Sequence, residues 1–264
     1  MLMEARNQIK IIFLSVKYNV MREMTNRVTF LTNITFMILN NASFIILWLV
    51  LFSLKSNIGG YQINDVLAMW ALAASTYGLS HIFFLRAYQL SDLIIHGKLD
   101  AFLVQPKSVI LSVITSATSA PAIGDLLYGY IIILLFHRSP GKILLFTYFT
   151  ITGAIILTAF AVIVGSLSFW IVKGDILANN LNEAMINFST YLEGIFRGVV
   201  KTILYTLIPV GLTVYMPLQV ILKFQFKYLF IITLFAFGIS LFAWIIFYRG
   251  LKRYSSSNLM SARV

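Results

Sequence analysis

The sequence has no cysteine and few charged residues. Only 11% of its 264 side chains are charged and 59% are hydrophobic, whereas soluble domains are about 25% charged. The lack of cysteine excludes structural disulfides and thiolate metal sites, and His81, His96 and His137 lack the spacing of a metal motif. One soluble core cannot hide so much apolar surface from water, so the composition indicates a membrane protein.

A nucleotide-binding loop is also missing. A phosphate loop needs the pattern G-x-x-x-x-G-K-[ST]. The pairs Gly97-Lys98 and Gly141-Lys142 lack both the earlier glycine and the following Ser or Thr. No nucleophile with an adjacent base can be named either, so a membrane-bound enzyme is only a third hypothesis. We therefore expect a non-catalytic chain that does not hydrolyse ATP itself.

Long apolar runs dominate the rest of the chain. A helix needs about 20 mostly apolar residues to cross the hydrocarbon core of a bilayer. Because no long polar linker divides the runs, we expect one transmembrane domain over residues 1–264. The predicted fold class is therefore an all-α membrane protein with six transmembrane helices. The predicted spans are residues 28–54, 66–86, 108–136, 143–171, 176–196 and 228–248.

The distribution of Lys and Arg predicts the orientation. Cytoplasmic loops carry an excess of these residues, and both chain ends are basic here. We therefore expect both termini of a multi-pass membrane protein in the cytoplasm. The bias is not uniform, because several basic residues fall in segments that this topology places outside. These are Lys55, Arg138, Lys142, Arg197, Lys201, Lys223 and Lys227.

The segment before residue 28 predicts an interfacial amphipathic helix. Its apolar residues recur three and four positions apart, and Arg6, Lys10 and Lys17 occupy an adjoining face that suits anionic lipid. The segment is too polar and too long for a cleavable signal peptide, so we expect the mature protein to keep it. The alternative is a cytoplasmic extension of the first span. The apolar positions are Ile9, Ile12, Phe13, Val16 and Val20.

The loop between the second and third predicted spans has the pattern of a short amphipathic helix. Gly97 is suited to end its first part because glycine adopts the left-handed conformation of a C-terminal cap, and Pro106 disfavours an unbroken helix into the next span. Apolar residues outside the bilayer favour a docking surface for a protein partner, and the alternative is a solvated connector. The apolar residues are Leu90, Leu93, Ile94 and Leu99.

Two segments resemble a known family. The run IHGKLDAFLVQP, at 95–106, is similar to the cytoplasmic loop of bacterial ABC exporter permeases of the type-2 class. The run YLEGIFRGVVKTILYTLIPVGLTVYMPLQVIL, at 191–222, resembles the segment before the last span of that family, although Met216 separates Tyr215 from Pro217. With the order of the spans, the resemblance covers nearly the whole chain.

The resemblance implies a division of labour between chains. Two permease subunits, identical or related, would pair with two ABC ATPase subunits that bind ATP and Mg, while this chain would hold no cofactor of its own. Membrane lipid would surround it, and no nucleic acid is expected as a partner. The loop between spans two and three would be the coupling helix to the ATPase. That role would fall on Asp92, His96, Gly97, Lys98, Leu99 and Asp100.

Polar residues recur along the predicted fifth span. Asn and Glu inside a membrane normally face a protein interior or a water-filled cavity, where partners satisfy them. The pattern therefore predicts a translocation path or a seam between two permease subunits, and the alternative is adhesion between helices of one chain. The residues are Asn179, Asn182, Glu183, Asn187, Thr190 and Glu193.

Two other spans carry distinctive residues. A face of small residues on span two indicates close packing against another helix. In span three, Asp125 follows Pro121 by one helical turn, and we interpret it as a structural polar contact, with a proton relay as the alternative. The small face consists of Ala71, Ala74, Ser75, Gly78 and His81.

The segment 197–222 is apolar but interrupted by Pro209, Gly211 and Pro217. This pattern predicts short re-entrant helices that dip into the outer leaflet rather than a seventh crossing. Such helices could form an external gate.

The leading functional hypothesis is the permease subunit of an ATP-driven exporter. The alternative is an ion-coupled transporter or channel with ion sites at Asp125, Glu183 and Glu193, although no internal inverted repeat supports it. An apolar path rich in Phe and Tyr is compatible with lipids, peptides or drugs as substrates.

Overall fold

Long apolar runs form helices because a helix satisfies its backbone hydrogen bonds within itself, which is required inside a bilayer. A computed structural model describes residues 2–105 and 108–255, and side chains in those ranges except residues 2–6 and 9. The predicted features at Pro106 and Lys107, and the side chains of Arg6 and Ile9, lie outside this description. The helices are α1 (Leu2–Glu23), α2 (Arg27–Leu54), α3 (Ile63–Tyr88), α4 (Leu90–Ile95), α5 (Asp100–Leu103), α6 (Val109–Ile114), α7 (Pro121–Phe136), α8 (Pro140–Ser166), α9 (Gly174–Ser189), α10 (Gly198–Thr206), α11 (Met216–Leu222) and α12 (Phe226–Leu251).

The all-helical architecture is confirmed, but the count of six spans is not. Within residues 2–105 and 108–255, four helical stretches are long and apolar enough to cross a membrane, namely α2, α3 extended through α4 to Ile95, α8 extended to Phe169, and α12. The pair α10 and α11, bent by 75°, makes a fifth if it is one broken span. The side of the membrane on which each loop lies stays a prediction.

Central and peripheral helices differ in burial. In α3 and α8, 78% of the most apolar stretch is buried within the chain, against 11% in α2 and 17% in α12. α3 packs on α7 and α8, α2 packs on α7, and α12 packs on α8. The apolar outer faces of α2 and α12 are therefore available to lipid or to another subunit.

The small face of span two is a packing surface, as its composition predicted. A Cβ added to Gly78 would lie 2.6 Å from the Ala122 carbonyl oxygen and 2.7 Å from the Leu126 nitrogen. At Gly129, a Cβ would collide with Ser75 and with the Ala71 carbonyl. The backbones of α3 and α7 therefore touch at two glycines.

The predicted third span, 108–136, is not one helix. Helix α6 ends at Ile114 and α7 begins at Pro121. The backbone of the intervening segment forms hydrogen bonds with residues that are distant in sequence. The Ser119 N–H donates to the His81 carbonyl at 3.1 Å, and the Asn19 side chain donates to the Thr115 carbonyl at 3.2 Å. Proline is well tolerated at a helix start because its missing N–H has no partner there. Pro121 thus marks a break in this span.

The predicted fifth span is shorter than expected. The sequence predicts a span over residues 176–196, whereas the observed helix α9 ends at Ser189. The Ser189 and Thr190 hydroxyls donate to the Ile186 and Asn187 carbonyls, at 2.6 and 2.7 Å. A 16-residue helix is about 24 Å long, which is less than the roughly 30 Å of hydrocarbon. Glu193 therefore lies outside this helix.

The N-terminal segment is helical, and α1 is fastened to the domain by part of its apolar face. Val16 is buried against Ile82 and Ala122, whereas Phe13 is exposed and contacts Phe83 edge-on at 5.8 Å. Its placement on a membrane surface stays a prediction.

Candidate functional site

The segment between α3 and α7 contains a sharp turn that begins where α4 ends. Gly97 has φ +67°, the left-handed conformation that the sequence pattern predicted. The Lys98 N–H donates to the Leu93 carbonyl at 2.9 Å, and the Gly97 N–H donates to the Ile94 carbonyl at 3.3 Å. These two bonds form a Schellman cap, in which glycine avoids the Cβ strain of other residues. Local chemistry thus fixes the direction of the chain after α4.

Apolar side chains of this segment face the protein interior. Leu99 and Leu90 are fully buried, and Leu93 and Ile94 nearly so. They join one cluster with residues of α6, α8 and α12, among them Phe247. The inference that these apolar residues form a docking surface is wrong, because their partners are in the same chain. They instead anchor the segment to three helices of the domain.

A different set of side chains forms the outer surface of the segment. Asp92 accepts from Lys98 Nζ at 3.0 Å and lies 2.8 Å from His96 Nδ1, and these three side chains are about half exposed. Asp100 begins the exposed helix α5, where Leu103 and Val104 are 40% and 84% exposed. We name this surface, formed by His96, Lys98, Asp100, Ala101, Leu103 and Val104, the coupling surface, after the role that the family resemblance predicts for this segment.

The polar stripe of α9 points away from the core of the chain. Asn179, Glu183 and Asn187 are exposed, and Thr190 is partly buried just beyond the helix end. An exposed Asn–Glu stripe cannot face hydrocarbon at low cost. This face therefore requires water or another protein surface beside it.

Asn182 and Glu193 do not belong to that stripe. Asn182 is buried, and its Oδ1 has no hydrogen-bond partner among the described residues. Glu193 lies in the 3₁₀ turn Glu193–Ile195, is 6% exposed, and binds groups from three segments. Its carboxylate accepts from Tyr205 Oη at 2.7 Å, Gln219 Nε2 at 2.9 Å and Tyr61 Oη at 3.4 Å, and pairs with Lys201 Nζ at 2.8 Å. We name these five side chains the Glu193 network.

The Glu193 network joins the loop after α2 to the bent pair α10 and α11. Burial, with the nearby Glu193 charge as the second cause, raises the pKa of Tyr61 to about 12. The Tyr61 hydroxyl is therefore held in its protonated, donating form. A Cβ on Gly194 would collide with the Gly59 carbonyl, so the two loops also touch through their backbones.

Asp125 has a different environment. It is 4% exposed near the start of α7, and Oδ1 accepts from Asn41 Nδ2 at 2.6 Å. The same Asn41 nitrogen donates to the Met37 carbonyl at 3.0 Å. Asp125 Oδ2 has no hydrogen-bond partner among the described residues. The carboxylate lines a cavity of about 280 Å³ between α2, α3, α7 and α9.

The three carboxylates proposed as ion sites are not brought together. Asp125 lines the cavity, Glu183 is on the exposed face of α9, and Glu193 is held by its own network. Within the described residues, no group of three or more His, Cys, Asp or Glu side chains could hold a metal ion. The geometry therefore gives the ion-coupled alternative no shared site.

Sequence reasoning missed the partners of both buried carboxylates. Asn41 is one of several polar residues in the mostly apolar run of α2, and nothing in the sequence singles it out as the partner of Asp125. Tyr61 and Gln219 belong to no recognisable motif. They contact Glu193 from segments that are distant from it in sequence.

Comparison with known proteins gives one result for nearly the whole chain. A family model described as ABC-2 family transporter protein matches residues 38–258. This match confirms the resemblance found in the two sequence segments. No curated protein and no solved structure matches at a significant level.

Proposed function

We propose that this chain, which belongs to the ABC-2 family of transporter proteins, is the membrane permease subunit of an ATP-driven exporter. Separate ATPase subunits would bind and hydrolyse ATP with Mg, and a second permease subunit, identical or related, would complete the assembly. The chain itself would supply the substrate path and no catalytic group.

The observation that carries the proposal is the packing of the segment between α3 and α6, which includes the coupling surface. Its inner side is buried against α6, α8 and α12, whereas its outer side, the coupling surface, has no covering partner within the described residues. Val104, 84% exposed, is an apolar contact point beside charged groups. A push on this surface would be transmitted to three helices as a rigid-body movement.

The stripe on α9 supports a path between two permease subunits. Its residues Asn179, Glu183 and Asn187 are exposed in the single chain, although helices long and apolar enough to cross a membrane lie beside them. A second subunit facing this stripe, with water between them, would satisfy the polar groups. The bent pair α10 and α11, fixed by the Glu193 network, would form re-entrant helices at the outer end of that path.

The proposed orientation places the coupling surface and both termini in the bacterial cytoplasm. The loop between α2 and α3 then lies outside, and the absence of native cysteine makes it testable. An impermeant thiol reagent applied to intact cells should label Asn57→Cys. Labelling of Asn57→Cys only after cell lysis would indicate the opposite orientation.

The test of function uses Gly97→Val and Val104→Asp in the full chain, co-expressed with a candidate ABC ATPase partner. Valine at a left-handed position costs of order 1–3 kcal/mol in backbone strain, which should displace the coupling surface. The Val104→Asp change would place a charge at the most exposed apolar point of that surface. Leu99→Asp is unsuitable, because Leu99 is fully buried and an acid there would unfold the segment.

The matched control is Gly60→Val. Gly60 has φ +91° with open space around it, and it lies in the loop before α3, so the control repeats the strain far from the coupling surface. We expect both test variants to insert normally but to lose ATPase co-purification or ATP hydrolysis in proteoliposomes, while Gly60→Val retains both. Wild-type behaviour of both test variants would show that the segment is only a connector. Hydrolysis by the isolated wild-type chain would contradict the division of labour.

A further inference from the structure

The cavity beside Asp125 combines one carboxylate with aromatic walls. α2 contributes Asn41 and Phe44, α3 contributes Trp70 and Tyr77, and α7 contributes Asp125. The Phe44 and Trp70 rings lie 4.6 Å apart between centroids, with a tilt of 30°. Aromatic faces attract cations through their negative quadrupole. Its walls thus suit a ligand with a positive charge and an apolar body.

The Asp125 carboxylate has one oxygen without a partner among the described residues. Asn41 occupies only Oδ1, and none of the ion pairs among the described residues includes Asp125. An isolated ionised carboxylate in an apolar site is costly unless a positive or hydrogen-bonding partner satisfies it. Asp125 Oδ2 is buried and has no partner in the described part of the chain, so a rotation of the Asp125 side chain would turn an unsatisfied oxygen towards a donor in the cavity.

The charge pattern of the helices agrees with a positive ligand. In α2, α3, α7, α8, α9 and α12, Asp125 and Glu183 are the charged residues that lie beyond the first and last turns. Lys and Arg in these helices are confined to their ends. The helix interiors therefore offer negative charge to a ligand and no positive charge.

The cavity is accessible from the proposed path. Asn187 and Thr190 belong to the polar stripe of α9 and also line the cavity, and Phe44 at its edge is 41% exposed. A ligand moving along the exposed face of α9 would therefore meet the cavity without crossing a packed layer.

We propose that this cavity binds a small organic ammonium ion, whose N–H donates to the Asp125 carboxylate while its apolar body lies against Phe44 and Trp70. The inference rests on the proposed function in treating this ion as the substrate class. A bare metal ion fits poorly, because one carboxylate and apolar walls cannot replace a hydration shell of six or more oxygens. The site therefore selects organic cations over neutral molecules of the same shape.

The test measures binding of 2-phenylethylamine, which is cationic at neutral pH, to the full chain in lipid nanodiscs by calorimetry. The neutral comparison ligand is 2-phenylethanol. Asp125→Asn removes the charge with little change in shape, and Ala73→Leu fills the cavity without touching the carboxylate. Asp175→Asn, in the first turn of α9 and away from the cavity lining, is the matched control.

We expect millimolar or tighter binding of the amine and at least about tenfold weaker binding of the alcohol. Asp125→Asn and Ala73→Leu should each weaken amine binding by about tenfold or more, while Asp175→Asn leaves it unchanged. Equal binding of amine and alcohol, unchanged binding by Asp125→Asn, or no amine binding by the wild type would overturn the proposal. Because the assay contains no ATPase, its failure is distinct from a failure of the chain to engage an ATPase partner.

Discussion

Two buried carboxylates in this chain have nearly equal exposure and opposite surroundings. Glu193 is 6% exposed and receives hydrogen bonds from Tyr205, Gln219 and Tyr61 as well as an ion pair with Lys201. Asp125 is 4% exposed and has one donor, Asn41. Burial alone therefore does not distinguish a structural acid from a binding acid, whereas the satisfaction of its oxygens does.

The difference follows from what surrounds each group. Glu193 lies where loops and short helices meet, so hydroxyl, amide and ammonium groups from several segments converge on it. Asp125 lies between long apolar helices whose side chains are mostly hydrocarbon or aromatic. A satisfied buried network rigidifies a structure, and a partly satisfied one leaves a group able to bind something else.

The largest effect that tests this comparison should come from Glu193→Ala. The change leaves the Tyr205 hydroxyl and the Gln219 amide without their acceptor, and we expect the free energy of unfolding to fall by about 3–5 kcal/mol. Thermal unfolding in detergent measures it as a lower Tm. Lys201→Met is the control, since Lys201 is half exposed and its ion pair should contribute about 0–1 kcal/mol. Equal losses in the two variants would show that Glu193 is not the centre of the network.

A smaller effect should follow from the ionisation of Tyr61. Its pKa is raised from 10 to about 12 in the folded chain, so the stability it contributes is complete below pH 10 and is lost as pH rises through 12. Tyr61→Phe lacks this contribution. The Tm difference between wild type and Tyr61→Phe should therefore narrow from pH 10 to pH 12. A difference that stays constant over this range would mean that burial beside Glu193 does not raise the pKa of Tyr61.

The smallest effect on stability should come from Asp125→Asn. Asparagine keeps an oxygen to accept from Asn41, and it replaces a carboxylate oxygen that has no partner in the described chain. We expect a change below about 1 kcal/mol in the free energy of unfolding, measured by the same thermal scans. A loss as large as that of Glu193→Ala would make Asp125 a structural acid and would remove the contrast between the two sites.

The sequence predicted those features that depend on local chemistry. The positive φ of Gly97 follows from glycine after a short amphipathic run, and the apolar lengths of α2, α8 and α12 are visible without any structure. The packing face of α3 was also predictable, since Gly78 and its small neighbours are spaced at helical intervals.

Features set by distant parts of the chain could not be predicted. The break before Pro121 depends on the His81 carbonyl and the Asn19 side chain, which come from two other helices. An amphipathic pattern shows that Leu99 has an apolar face but not which surface covers it. Spacing placed Glu193 on the stripe of α9 because a sequence pattern does not reveal that the helix ends at Ser189.

The close contact of α3 and α7 at two glycines has a practical consequence for spectroscopic studies of this protein during transport. At Gly78 and Gly129 the two helices approach so closely that rotamer changes of the few side chains there, such as Ser75, leave little room for one helix to slide past the other. Paired spectroscopic labels attached to α3 and α7 should report a constant separation throughout turnover, and so calibrate the measurement.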